Sequence, residues 1–160
     1  MNDSIFQSYV IFELGDAAYG VPSGDVMHVD LLDHLTAVPN VAAAVEGVVF
    51  SRGQVVPALN LRVRFGLPRR EHDASTRLLF VQSGPRVVAL IVDAAREFRA
   101  ISTNTIRPVE ETLHGVQGNY VQGVAQVGGR LVLLIDVLAV LATDSDTAAL
   151  AAVETAVTPN

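Results

Sequence analysis

Apolar residues in this chain fall in short runs separated by polar patches that carry glycine. Residues 8 to 14 alternate and are rich in strand formers, Gly15-Asp16 interrupts them, and Ala18 to Val21 resumes an apolar run. That pattern predicts a β-hairpin. From Ser23-Gly24-Asp25 onward Val26, Val29 and then Leu32 or Leu35 recur every three or four residues, which fits a helical turn or an irregular strand. Pro39-Asn40 ends this stretch, and Val41 to Glu46 reads as a short turn. Gly47 to Leu61 predicts a second hairpin, with Pro57 inside its second strand. Because proline cannot donate to a ladder, that strand is expected at a sheet edge or a bulge.

The polar stretch PRREHDASTR, residues 68 to 77, is the best internal loop. Residues 78 to 92 are almost continuously apolar except around Ser83 to Arg86, predicting two buried strands. Ile101 to Gly118 reads as a longer connector with a helical turn, and residues 121 to 137 as a final hairpin. After Ala142 the composition shifts to Thr, Asp and Ala, which predicts a capped helix or a mobile tail of marginal stability.

These hairpins are not independent of one another. VEGVVFSRGQVVPALNL (45 to 61) and VQGVAQVGGRLVLLIDV (121 to 137), laid over each other at a shift of 76 (121 minus 45), share Val45/Val121, Gly47/Gly123, Val48/Val124, Gly53/Gly129 and Val56/Val132. Asn60/Asp136 is a near match. The hairpins around Gly15 and Gly84 echo each other at a shift of 69 (84 minus 15). A hairpin, a connector and a second hairpin therefore occur twice, the mark of a duplicated small β unit.

Composition narrows the function classes. At 160 residues, 50% apolar and 18% charged, the chain can build a real core. A net charge of −6 and the absence of Trp argue against nucleic acid, which rewards Lys, Arg and stacking platforms. Zero cysteines exclude disulfides and thiolate chemistry. No secretory signal is evident, and the longest apolar run, LVLLIDVLAVLA, carries Asp136 at its centre, so a soluble cytoplasmic protein is expected.

Enzymatic motifs are missing. His28, His34, His72 and His114 lack ligand spacing apart from the Asp30/His34 and His28/Asp33 neighbourhood and read as surface histidines, so no metal is expected. Gly128-Gly129 belongs to a turn rather than a phosphate loop, and Ser51 has no nucleophile-elbow context. Asp93 and Asp136 end strands, where a carboxylate usually accepts hydrogen bonds from turn backbone; nothing sets an acid beside a base. Arg52 stands apart. It occupies the tip of the Gly47 to Leu61 hairpin, where the second copy has Gly128, so the turn itself does not require arginine. It is either a solvated turn residue or a contact for a partner's carboxylate or carbonyl groups.

The run EGVVFSRGQVVPALNLRVRFGL, preceded by YVIFELGDAAYGVPSGDVMHV and followed by VVALIVDAAREF, IRPVE and GVAQVGGRLVLLIDVLAVL, resembles the CheW-type coupling proteins of bacterial chemotaxis. The likeness spans about Tyr9 to Leu141. It implies a mainly β fold of two five-stranded SH3-like barrels on a shared hydrophobic seam: one domain over 1–142, its two intertwined lobes dividing near 68–77, followed by a C-terminal helix or mobile tail over 143–160. It further implies an adaptor with no enzymatic activity and no cofactor, whose partners are a chemoreceptor's cytoplasmic tip and the regulatory domain of a CheA-type histidine kinase. By matching position, the partner-binding residues would be Val26, His28, Val29, Arg52, Gly53, Leu78, Leu79 and Ala89. His28, the Phe50-Ser51-Arg52-Gly53 turn and Ala89 depart from the family's usual acidic residue, Asn-Leu-Arg-Gly turn and glycine. The rival readings are a self-associating scaffold, through exposed strand edges, and a small-ligand binder or enzyme using the seam. A binder or enzyme calls for titratable groups inside the seam, whereas an adaptor calls for aliphatic ones.

Overall fold

The computed structural model describes residues 5–39, 41, 43–109 and 119–142. Ten strands run in the order β1 (Phe6–Leu14), β2 (Ala17–Pro22), β3 (Val26–Leu31), β4 (Val45–Ser51), β5 (Gln54–Asn60), β6 (Arg77–Ser83), β7 (Arg86–Val92), β8 (Ala94–Ser102), β9 (Val121–Val127) and β10 (Arg130–Ile135). Two short helices, α1 (Leu61–Arg64) and α2 (Val137–Leu141), follow β5 and β10. The ambiguous stretch after the first hairpin resolves into both of its options: a 3-10 turn over Ser23–Asp25, then β3 with an irregularity between Val26 and His28. The second connector begins later than expected, because β8 runs through Ser102; its helical turn is Thr103–Thr105. Residues 110–118 of that connector, and the expected helix or tail over 143–160, lie outside the described residues.

The strands form two five-stranded sheets, β8-β1-β2-β10-β9 and β3-β6-β7-β5-β4. Exchanging β1 to β5 with β6 to β10 turns one order into the other. Each repeat thus gives its first hairpin to the sheet built by the other repeat. Residues 68–77 separate the repeats in sequence but not the sheets: they join α1 to β6 on the same side, and the chain changes sheet at Pro22–Val26 and at Asp93.

Burial explains why the strands read as continuous apolar runs. Val10, Phe12 and Leu14 of β1, Leu79 and Val81 of β6, and Val88, Leu90 and Val92 of β7 enter one central cluster shared by both sheets, with Phe65 and Val140 from the helical segments. Their alternate neighbours point the opposite way. Tyr9 and Ile11 enter a second cluster within the first sheet, and Leu78, Phe80, Ala89 and Ile91 a third within the other. A strand buried on both faces loses the alternation of a half-exposed one.

The barrels are not closed. β3 and β4 are the free edges of one sheet, β8 and β9 of the other, and neither pair forms a ladder. Instead, among the described residues, one backbone bridge crosses each opening, Thr36 with Val48 and Arg107 with Val124. Val48 and Val124 are equivalent in the repeat, as are Gly47 and Gly123. A Cβ on Gly47 would strike the Thr36 carbonyl, and one on Gly123 would press on Ile106, so both glycines make room for the bridging segment.

Pro57 corrects its sequence reading. β5 lies inside its sheet, between β7 and β4, and the register shift falls on β4 between Val45 and Gly47. Opposite Pro57, Val48 gives both its backbone groups to Thr36, at 2.8 and 2.9 Å, so the Val48/Pro57 pair is of the non-hydrogen-bonded kind. On its other side the pairing with β7 begins only at Ala58. No ladder bond is lost to the proline.

Candidate functional site

The hairpin of β4 and β5 turns through Arg52 and Gly53, both at positive φ (51° and 78°). Its repeat turns through Gly128 and Gly129 at 58° and 77°. A two-residue hairpin of this kind requires positive φ at both central positions. Arginine at the first of them is strained where glycine is not, by about 1–2 kcal/mol. Arg52 is exposed and, among the described residues, makes no ion pair.

Beside this turn β3 borders the opening of its sheet. The His28 ring stacks on Phe80, with centroids 4.1 Å apart and planes 14° from parallel, and its Nε2 lies 3.3 Å from Ser51 Oγ. That bond joins the two free edges. Burial of the ring, reinforced by the Arg52 charge and opposed by Asp30, holds His28 below the ordinary imidazole range, favouring the neutral ring. On the same strand Met27, Val29 and Leu31 are exposed, Val29 by 37%, while Phe50 before the turn is exposed by 75%. An exposed apolar rim therefore flanks the opening on both sides.

The eight residues carried over from the resemblance do not meet on one surface. Val29, Arg52 and Gly53 are exposed, and His28 is half-buried. Val26 packs against the shared core. Leu78, Leu79 and Ala89 are 3%, 0% and 0% exposed, so in this chain they support the face rather than form it. The burial follows from their position on β6 and β7, which are central strands. Only Leu78 reaches an opening, a cavity of about 350 Å³ between β3 and β4.

Sequence reasoning passed over the polar clamps that hold the scaffold. Arg62 grips Asp93 with two nitrogens, Nε at 2.9 Å and Nη2 at 2.6 Å, and Gly15 N–H donates to the same carboxylate at 2.6 Å. Burial alone would raise Asp93, but Arg62, Gly15 and the Arg70 charge outweigh it and hold the carboxyl below its usual range. Similarly, Glu46 accepts from Asn60 at 2.5 Å and Arg69 at 2.8 Å, with His72 at 3.1 Å. Burial opposes ionisation here too, yet these partners keep Glu46 depressed. Asn60 and Asp136, equivalent in the repeat, cap α1 and α2 in turn. Asp93 and Asp136 thus have structural partners. Among the described residues no group of three His, Asp or Glu is placed to hold a metal, and no helix is long and apolar enough to cross a membrane.

Residues 8–145 match the family model described as the CheW-like domain. The chain belongs to the CheW-like family. A chemotaxis protein CheW of Helicobacter pylori is 30% identical over 89% of this chain and 86% of its own length. The chemotaxis protein CheW of Klebsiella aerogenes is 28% identical over 89% and 86%. Among solved structures, the scaffolding protein TtCheW from Thermoanaerobacter tengcongensis superposes with a TM-score of 0.80 at 26% identity, covering 88% of this chain and 96% of that one. Two open five-stranded sheets around a shared apolar seam are thus the CheW-like architecture in this chain. Aliphatic and aromatic side chains from both sheets pack together along the seam.

Proposed function

We propose that this protein is a non-enzymatic coupling adaptor that binds the cytoplasmic tip of a methyl-accepting chemoreceptor and the regulatory domain of a CheA-type histidine kinase. It works in the cytoplasm and is recruited to membrane-associated receptor arrays. The observation that carries this reading is the match of the CheW-like domain to residues 8–145, a span that includes all of the two-sheet body but the first two residues of β1. The exposed aliphatic rim of β3 and the strained Arg52 support a partner face on that body: apolar anchors suit a helix laid against it, and Arg52 offers a fork for carboxylate or carbonyl groups.

The work of such a protein is geometric. Holding two partners on one scaffold turns separate weak contacts into a multivalent assembly with raised effective concentration. A change in the receptor reaches the kinase only through contacts that differ between receptor states. The test is capture of purified receptor tips and kinase regulatory domains from the same genome, with Arg52→Ala alongside. Binding of both partners, with receptor capture selectively lost in the variant, is the expected result. Binding of neither overturns the proposal.

A further inference from the structure

We propose that the cavity between β3 and β4 is a binding site for an arginine side chain presented by a partner protein. This rests on the coupling reading, to which it adds the chemistry of one contact. The cavity holds about 350 Å³, at the small end of the ~300–1,000 Å³ of small-ligand sites, which suits one long side chain. Its floor is apolar, made by Val49, Leu78 and Phe80 from the core of the second sheet. Its rim carries two carboxylates, Asp30 and Asp33, and the exposed ring of Phe50.

Charge selects the occupant. Asp93, Glu46 and Glu13 each have an arginine of this chain within 2.6, 2.8 and 3.1 Å. Asp30 and Asp33 have none among the described residues. Asp30 accepts only the N–H of Leu31, at 2.8 Å, and the ion-pairing neighbour of Asp33 is the exposed His34 at 3.8 Å. Arg52 does not line the cavity. Two carboxylates at the mouth of an apolar pocket suit a cation on an apolar stem, which buries its methylenes and keeps its head at the rim. Guanidinium fits better than ammonium, because its planar fork pairs with a carboxylate through two nitrogens and its face stacks on an aromatic ring such as Phe50.

The test uses the full chain, labelled with nitrogen-15, titrated with N-acetyl-arginine amide and with its neutral near-isostere N-acetyl-citrulline amide. Saturable shifts of the Asp30, Ser51 and Leu78 amides by the arginine probe are expected, with the citrulline probe at least tenfold weaker. The variant Asp30→Asn/Asp33→Asn keeps its fold, since both side chains are exposed, and loses about tenfold in affinity, the loss expected for two exposed ion pairs. Equal binding of the two probes, shifts confined to another face, or unchanged affinity in the variant overturns the site. The partner assay separates the two proposals. A wild-type chain that binds the arginine probe here yet captures neither receptor nor kinase retains the site and removes the coupling reading. An Asp30→Asn/Asp33→Asn variant that captures both partners as wild type does removes the partner contact and leaves coupling in place.

Discussion

Arg52→Gly separates the cost of the hairpin turn from its use. Arginine at φ 51° carries about 1–2 kcal/mol of left-handed strain that glycine does not. Glycine in turn gains about 0.4–1 kcal/mol of unfolded-chain entropy. The difference leaves Arg52→Gly more stable than wild type by up to about 1.5 kcal/mol and at worst unchanged. Arg52→Ala keeps the strain and should stay within about 0.5 kcal/mol of wild type, as exposed substitutions do. Urea denaturation reads the difference: with a slope of about 2 kcal/mol/M, a gain of about 1 kcal/mol moves the midpoint up by about 0.5 M. Receptor capture, measured on the same samples, should be lost in both variants. A lower midpoint for Arg52→Gly at unchanged slope would show that Arg52 holds the fold. Full receptor capture by both variants would show that the strained arginine serves no partner contact, and either result refutes the argument.

Gly47→Ala should destabilise by about 3 kcal/mol or more, because its Cβ meets the Thr36 carbonyl, a backbone atom that cannot step aside without breaking the Thr36/Val48 bridge. Equilibrium urea unfolding checks it, and Gly53→Ala, whose Cβ meets nothing, should cost much less. Asp93→Asn should cost about 2–4 kcal/mol at pH 7 by leaving Arg62 half-buried without its charge partner. Since the folded carboxyl titrates below its unfolded value near 3.9, its contribution is present above that value and fades as pH falls through the lower folded one. The gap between wild type and Asp93→Asn in thermal melts should therefore narrow below about pH 4. Finally, fragments 1–72 and 73–160, expressed apart, should each fail to fold, because either sheet needs strands from both; mixing them should restore circular dichroism and amide dispersion.

Much of this architecture was legible because duplication writes each feature twice. The hairpin turns at Gly15, Gly53, Gly84 and Gly129 stand where the glycines put them. The near match Asn60/Asp136 is one local device, a side chain capping the short helix after each second hairpin. The exchange of hairpins between repeats was not legible, since periodicity reports which face of a strand is buried and not which sheet it joins. Pro57 misled for a related reason: its tolerance comes from Val48 spending its backbone groups on Thr36, a partner twelve residues away (48 minus 36). The residues named for the candidate site differ in how legible their placement was. Arg52 stood out by comparison with its repeat, whereas Leu79 and Ala89 belong to central strands whose burial no positional carry-over reveals. Phe50 as an exposed anchor had no sequence signal of its own.

The two copies have diverged where they meet solvent and agree where they meet each other. At an offset of 71, Thr36 corresponds to Arg107 and His28 to Arg99, which face Phe80 and Tyr9 in their respective sheets. In one opening the neutral His28 ring reaches Ser51 and draws the edges together beneath Phe50 and Arg52. In the other, the Arg99 guanidinium extends towards Gly128, and the turn has no side chain to offer. Equivalent positions thus present an arginine tip on one lobe and a bare diglycine turn on the other. The central cluster that joins them draws side chains from both sheets, so neither lobe can move without repacking the other. A scaffold of this kind suits two unlike partners held at a fixed separation, with the signal carried by how each partner sits on its own face rather than by a hinge between lobes.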